Sequence, residues 1–483
     1  MTGEERRRGD SDWFFSACIT LFAFLPRLYV AIAWPREPVW DGHYYDFGAR
    51  RIAAGLGYSD GVTSWHPWCH WPVGYSGFLA GVYRVFGTGP KVATIAGAVV
   101  SALTVLVVHR LARHWLSRSR ARLAALLCAL YPGLIVYSAL VMSEPLAAFL
   151  LALAGLVALR DRKELPLWGS ALAGVILGLG TLVRPTFILH APAIALLHFD
   201  FRDPKRTWRR ALATASLATV TALAVVTPWT LRNCRVMDGC AFVSTNGGWN
   251  LAIGALHTSG RFETLRASDG CAVVTGQVQQ DRCWRDRAIE VIAEDPIRWL
   301  SLIPKKLGHT FDHESYPIEY LREADPDRWP EPKRVQGRAT LSFFHRALLT
   351  AAAFSVVAFA IGVSRRKLVQ MGALVLVTGI AAYAWHRIDA PFWPLAVAIV
   401  VLGALPLPGS PRKGPAFLWL LYSLGSVIVT HAILFGEDRY HVVVTPMLCI
   451  LAAGALRRQD VSHRVSRDDE DAGMPSVRPE KAA

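Results

Sequence analysis

The chain has 483 residues, of which 53% are hydrophobic and only 18% charged. Its apolar residues arrive in long uninterrupted runs, which excludes a soluble domain as the home of most of its mass. A formal net charge of +15 would suggest nucleic acid in a soluble protein, but the basic residues fall in short loops between apolar runs, where they set orientation in a membrane.

The runs are apolar on every side, without the alternation of a lipid-facing barrel, so they are expected to be helices. In chain order they give about twelve spans, at 13–34, 91–110, 121–141, 143–159, 167–183, 185–199, 210–230, 341–363, 367–385, 391–407, 416–435 and 440–456. The expected class is an all-α integral membrane protein. The first span carries Arg27, which is expected to snorkel or to face other helices, and it lacks a small-residue cleavage site, so it reads as a retained anchor. Basic clusters at 6–8, 110–122, 160–163, 202–210, 365–367, 412–413 and 457–458 recur at every second loop. The positive-inside rule then puts both termini in the cytoplasm.

Two loops on the outer side are long, 35–90 and 232–340. The first is expected to hold an amphipathic helix over 44–54, closed by Gly55 and Gly57, and a second over 73–86, closed by Gly87. In the other, apolar residues at helical spacing over 284–307 predict a helix lying in the interface. Residues 1–456 thus form one transmembrane domain, and the polar, aperiodic tail 457–483 is expected to be disordered in the cytoplasm. Four of the eight cysteines, Cys234, Cys240, Cys271 and Cys283, share the second loop. On an oxidising side disulfides are expected, Cys271 with Cys283 and Cys234 with Cys240 being the near pairs, although sequence alone leaves other pairings open. No phosphate-binding loop and no dinucleotide fingerprint occurs, which argues against an ATP-driven pump.

The residues able to carry chemistry fall on the outer side. Asp41, in Trp40-Asp41-Gly42-His43-Tyr44-Tyr45, stands just beyond a span and ahead of a surface helix. It is either a helix cap or an acid beside lipid headgroups. Glu144 is the one charged residue over 123–159, an expensive position unless it caps a helix or does work. Arg184 and Arg232 end the fifth and seventh spans on the side where few cations are expected, where they can reach lipid phosphates. His66, Trp68, His70, Trp71 and Tyr75 crowd the first loop, and Asn246-Gly247-Gly248-Trp249-Asn250 opens the second. Such rings suit either sugars or an interfacial belt. Asp438-Arg439-Tyr440-His441 supplies a further polar cluster at the outer end of the last two spans.

In order and spacing these pieces, with Trp71-Pro72-Val73-Gly74-Tyr75, Ser143-Glu144-Pro145, Arg184-Pro185 and Thr227-Pro228-Trp229-Thr230-Leu231-Arg232-Asn233, resemble the GT-C superfamily of polytopic glycosyltransferases. The likeness is to the family-39-like branch of protein mannosyltransferases and lipid A aminoarabinose transferases. The resemblance implies inverting transfer of a sugar from a polyprenyl-phosphate donor to an extracytoplasmic lipid, glycan or protein acceptor, in a bacterial-type plasma membrane. It implies Asp41 as the catalytic base and Glu144 as a second catalytic acid. His43, Tyr45, His70, Tyr75, Asn246, Asn250, Arg439 and Tyr440 are the expected substrate contacts. Where some relatives hold the donor phosphate with a lysine, this chain has Trp71, so Arg184 or Arg232 takes that role. Some relatives bind a divalent metal, for which the sequence assigns no ligands. The competing classes are a secondary transporter or flippase, against which stand the absence of an internal repeat and of midplane acids, and a non-catalytic assembly subunit.

Overall fold

In lipid every backbone amide and carbonyl must be satisfied within the protein, and helices do this locally. In the computed structural model, which describes residues 3–34, 36–60, 66–159, 167–200, 203–272, 276–358, 367–387, 389–405 and 414–454, the described residues form helices and no strand, with isolated bridges only at Ser59–Pro67 and Arg261–Gly436.

The first half runs through α1 (Gly3–Ala33), α2 (Asp41–Ala53), α3 (Val73–Phe86), α4 (Pro90–Ala112), α5 (Arg118–Leu130), the single turn α6 (Pro132–Val136), α7 (Glu144–Ala158) and α8 (Trp168–Val183). After a 3₁₀ turn over Pro185–Leu189 come the one-turn pieces α9 (His190–Ala193) and α10 (Ala195–His198), then α11 (Pro204–Val236). The second half holds α12 (Gly247–Leu256), α13 (Gln277–Glu294), α14 (Pro296–Ser301), α15 (Ile303–Phe311), α16 (Tyr316–Ala324), α17 (Glu331–Ala358), α18 (Lys367–His386), α19 (Trp393–Ala404) and α20 (Pro415–Ile433). A 3₁₀ turn over Asp438–Val444 leads into α21 (Thr445–Ala453).

Among the described residues five helices are long and apolar enough to cross a membrane by themselves, and six if α5 and the following segment, bent by 50°, make one span. The expected twelve are therefore not reached by length and composition. The shortfall has a visible cause: prolines break several apolar runs. Pro132 follows Tyr131 in extended conformation, as a residue before proline must be, and the expected sixth span is split into a 3₁₀ turn and two single turns around Pro185 and Pro192. The expected helix over 284–307 is likewise three helices, α13 to α15. Asp295 caps α14 by accepting from the Arg298 amide at 2.9 Å, and prolines occupy both new starts. The helix over 73–86 forms as expected, and the one expected over 44–54 starts three residues earlier, at Asp41. The tail 457–483 and the basic clusters at 160–163, 412–413 and 457–458 lie outside the described residues.

α1 packs on α4, α4 on α7, α7 on α8 and α8 on α11, while α17 packs on α19 and α21. Arg27 does not snorkel; it is wholly buried in this core. Its guanidinium donates to Ser101 Oγ and to the Ala23, Ala129 and Cys128 carbonyls at 2.8–2.9 Å, so backbone dipoles from two elements solvate the charge. The second long loop packs α15 and α16 against the 438–444 turn, and the first reaches it through Asp41 and Arg439.

Candidate active site

The chain approaches Asp41 through Trp40, the one non-glycine among the described residues with positive φ, at 50°. That sparsely populated backbone is held by the Trp40 ring, whose centroid lies 5.4 Å from Tyr316 and 5.9 Å from Tyr320. Gly42 completes the placement: a Cβ there would overlap the Tyr320 hydroxyl and lie 2.7 Å from the Val141 carbonyl oxygen, so only glycine lets α2 begin this close to the bundle.

Asp41 makes no helix cap. Its Oδ1 accepts from the Trp71 indole at 3.2 Å and its Oδ2 accepts from Arg439. Burial acts to raise the carboxyl, but the charge and hydrogen bond of Arg439 and the Trp71 indole outweigh it and hold Asp41 below its ordinary value. About a quarter of the side chain, 27%, is still accessible, so the group is both ionised and reachable. Trp71 thus serves the carboxylate.

Arg439 gathers the rest. It faces Glu437 Oε2 at 2.7 Å, donates to the Tyr316 and Tyr440 hydroxyls at 3.3 Å, and lies 5.0 and 5.1 Å from those two ring centroids. Burial pushes Glu437 up to about 7 in spite of Arg439. Arg184 also lies over the Tyr440 ring, 5.6 Å from its centroid, and donates to Glu144 Oε1 at 2.7 Å. Glu144 is 1% exposed, and its Oε2 and Arg184 Nε have no partner in the protein. Two acid–arginine pairs therefore meet at Tyr440. The Tyr45 phenol feels Asp41, Glu144, Arg184 and Arg439 together, although burial is the main reason its value is raised. Arg184, His190, His431 and Tyr440 also line a half-open cavity.

Other expected site residues divide. His70 lies edge-on to Trp71 and Trp249 at 4.4 and 5.4 Å, and burial pulls it down to about 4, with Asp41 opposing, so it is a neutral ring at the site. Tyr75 is 2% exposed and packs its ring edge-on to Tyr45 at 5.2 Å. His43 is exposed and its ring stacks on Phe47 at 6.4 Å, one of its contacts on the outer face of α2. Asn246 and Asn250 begin α12, where Asn246 Oδ1 accepts from Ser244 and Asn250 donates its amide to the Asn246 carbonyl. Arg232 donates to the Tyr58 and Trp68 carbonyls at 2.7 and 3.0 Å beneath the Trp229 ring; its guanidinium is committed to tying down the first loop.

Sequence reasoning did not single out Tyr316, whose backbone amide donates to Asp438 Oδ2 at 2.9 Å. It also missed a buried trio, Glu314, His345 and His441. These residues are separated by tens of positions, and only packing of α17 and the 438–444 turn on the second loop brings them together. The expected disulfides Cys234–Cys240 and Cys271–Cys283 both form in that loop.

No curated protein matches the chain. Among solved structures, the Archaeoglobus fulgidus oligosaccharyltransferase in complex with zinc and sulfate is similar at 15% identity and a TM-score of 0.47, over 90% of this chain and 48% of that one. The chain spans about half the length of that protein. ArnT from Cupriavidus metallidurans bound to undecaprenyl phosphate is similar at 15% identity and a TM-score of 0.38, over 91% of this chain and 77% of that one. A family model described as dolichyl-phosphate-mannose-protein mannosyltransferase matches residues 70–231, the stretch that holds Trp71, Glu144 and Arg184. Over that stretch, about a third of its length, the chain is similar to this family of membrane mannosyltransferases.

Proposed function

We propose that the chain transfers a sugar from a polyprenyl-phosphate donor to a hydroxyl-bearing acceptor at the outer face of a plasma membrane, with inversion at the anomeric carbon. The observation that carries the reading is the pair of acid–arginine couples that meet at Tyr440, one with its acid accessible and ionised, the other buried.

In this reading the acceptor oxygen attacks the anomeric carbon, the bond from that carbon to the donor phosphate oxygen breaks, and the acceptor proton goes to Asp41. The leaving group departs as a phosphate anion, so a fixed cation replaces the general acid that a hydrolase needs. Arg439 and Arg184 are the cations able to meet it, and Arg232, already bound by carbonyls, is the weaker candidate. As Arg439 turns toward the phosphate, Asp41 loses the partner that depresses it and becomes a stronger base when the proton must move. Glu144 holds Arg184, and Tyr45, His70, Tyr75 and Tyr440 wall the sugar. Neither pair lies at a helix midpoint, as a transporter site would.

The test is incubation of membranes containing the protein with a panel of radiolabelled polyprenyl-phosphate sugars. Label is expected to pass from one donor to a lipid, glycan or protein fraction, and to fail with Asp41→Asn. Transport of a donor across vesicles by that same variant, with no label transferred by the parent, would overturn the proposal in favour of a flippase.

A further inference from the structure

A second cluster lies apart from the Asp41 couple, where α17, the 438–444 turn and the segment between α15 and α16 pack together. Glu314, His345 and His441 are each at most 1% exposed, and one ligand atom from each lies within 4.8 Å of the other two. Their remaining polar atoms are already assigned. His345 Nε2 sits 2.9 Å from the Phe311 carbonyl oxygen and His441 Nδ1 sits 2.7 Å from that of Thr310. A carbonyl oxygen only accepts, so each of these nitrogens carries the proton, and the opposite nitrogen of each neutral ring presents a lone pair.

Those lone pairs lie close together, on rings stacked with centroids 3.9 Å apart. His345 Nδ1, His441 Nε2 and Glu314 Oε1 are buried and have no hydrogen-bond partner in the protein. The other carboxylate oxygen, Oε2, accepts from the Tyr131 hydroxyl and faces His441 Nε2 at 3.5 Å. Two imidazole lone pairs and a carboxylate crowded into a dry site repel one another unless a cation is bound among them. The surroundings keep the space: a Cβ on Gly133 would overlap Glu314 Oε1, and Ser342 Oγ accepts from the Glu314 amide at 3.1 Å and fixes its backbone.

We propose that Glu314, His345 and His441 bind one divalent transition-metal ion of the zinc class. Calcium and magnesium are disfavoured, since they require mostly oxygen ligands, whereas two imidazoles and one carboxylate are an ordinary zinc set with a fourth position left for water or the Tyr131 oxygen. Bonds of about 2.0–2.1 Å put neighbouring ligands of a tetrahedron about 3.4 Å apart, close to the 3.5 Å already present between His441 and Glu314. The two histidine–carbonyl hydrogen bonds are the outer support that fixes tautomer and ring orientation at such centres. The ion would pin α17 to the 438–444 turn, and Arg439 stands two residues before His441 on that turn, so its effect on Arg439 is one of positioning.

The test is metal analysis of the full chain, purified in detergent through a tag that binds no metal. One zinc-class ion per chain is expected, falling several-fold in Glu314→Gln and His345→Ala. If those variants fail to fold, the parent stripped by chelator and refilled with cobalt(II) is expected to show the visible bands of a tetrahedral site, and His441→Cys to add a thiolate-to-cobalt band. A parent that holds no stoichiometric metal and gives no cobalt spectrum would overturn the proposal, as would folded variants with undiminished metal.

Discussion

Asp41 and Arg439 stand 398 positions apart in the chain and share one hydrogen-bonded ion pair, which closes the first long loop onto the 438–444 turn. The pairing sets the charge state of Asp41, since burial alone would drive its carboxyl up. A carboxylate whose folded value is depressed stays ionised as pH falls, until the pH drops below that value. Turnover limited by Asp41 is therefore expected to hold on the acid side to below the ordinary aspartate range. Arg439→Gln removes the opposing charge and leaves burial against the Trp71 hydrogen bond, so the acid limb of the rate profile moves upward in pH. An unmoved limb in an Arg439→Gln enzyme that still turns over would show that Asp41 does not set it.

The Glu144–Arg184 couple is expected to behave as a unit. Removing one member of a buried pair strands the other and typically costs about 3–5 kcal/mol, whereas removing both leaves no charge behind. Arg184→Ala is thus expected to be less stable in thermal unfolding than Arg184→Gln combined with Glu144→Gln, and to lose donor affinity as well. Additive effects of the two single changes would mean that the pair is not coupled.

Membrane character and the two near-neighbour disulfides were legible because they rest on composition and on spacing of a dozen residues or fewer. The helix ends at 73 and 86 were legible for the same reason, Pro72 and Gly87 being local signals. The span count was not, because Pro185, Pro192 and the 438–444 turn break apolar runs whose hydropathy continues across the break. Arg184 could be placed at the end of an apolar run, but its ion pair with Glu144 joins residues 40 positions apart. Arg232 looked like a free cation because nothing in sequence reveals that the Tyr58 and Trp68 carbonyls fold over it.

Orientation is checked by fusion. If basic loops face the cytoplasm, a reporter active only outside works after Tyr58 or Asn250 and is silent after Arg113 or Arg206. The two outer sites fall in the loops that meet at Arg439, so activity at Arg113 would turn the whole site to the cytoplasmic side.

The sharpest prediction concerns Asp41→Asn. Asparagine keeps the size of the side chain and a carbonyl oxygen that can still accept from Trp71 or Arg439, so the loop is expected to close much as before and the protein to insert and bind donor lipid. It cannot take a proton from an attacking hydroxyl. Loss of a positioned base typically lowers the rate by ~10² to ~10⁴, and here kcat is expected to fall with little change in donor affinity. Glu144→Gln is the control. Glu144 is buried and its partnered oxygen is occupied by Arg184, so its loss is expected to appear first as weakened donor binding. Should Glu144→Gln abolish turnover while Asp41→Asn keeps it, the base is Glu144. Full activity in both would leave the two acid–arginine couples with a structural role only, and the proposed chemistry would fall with them.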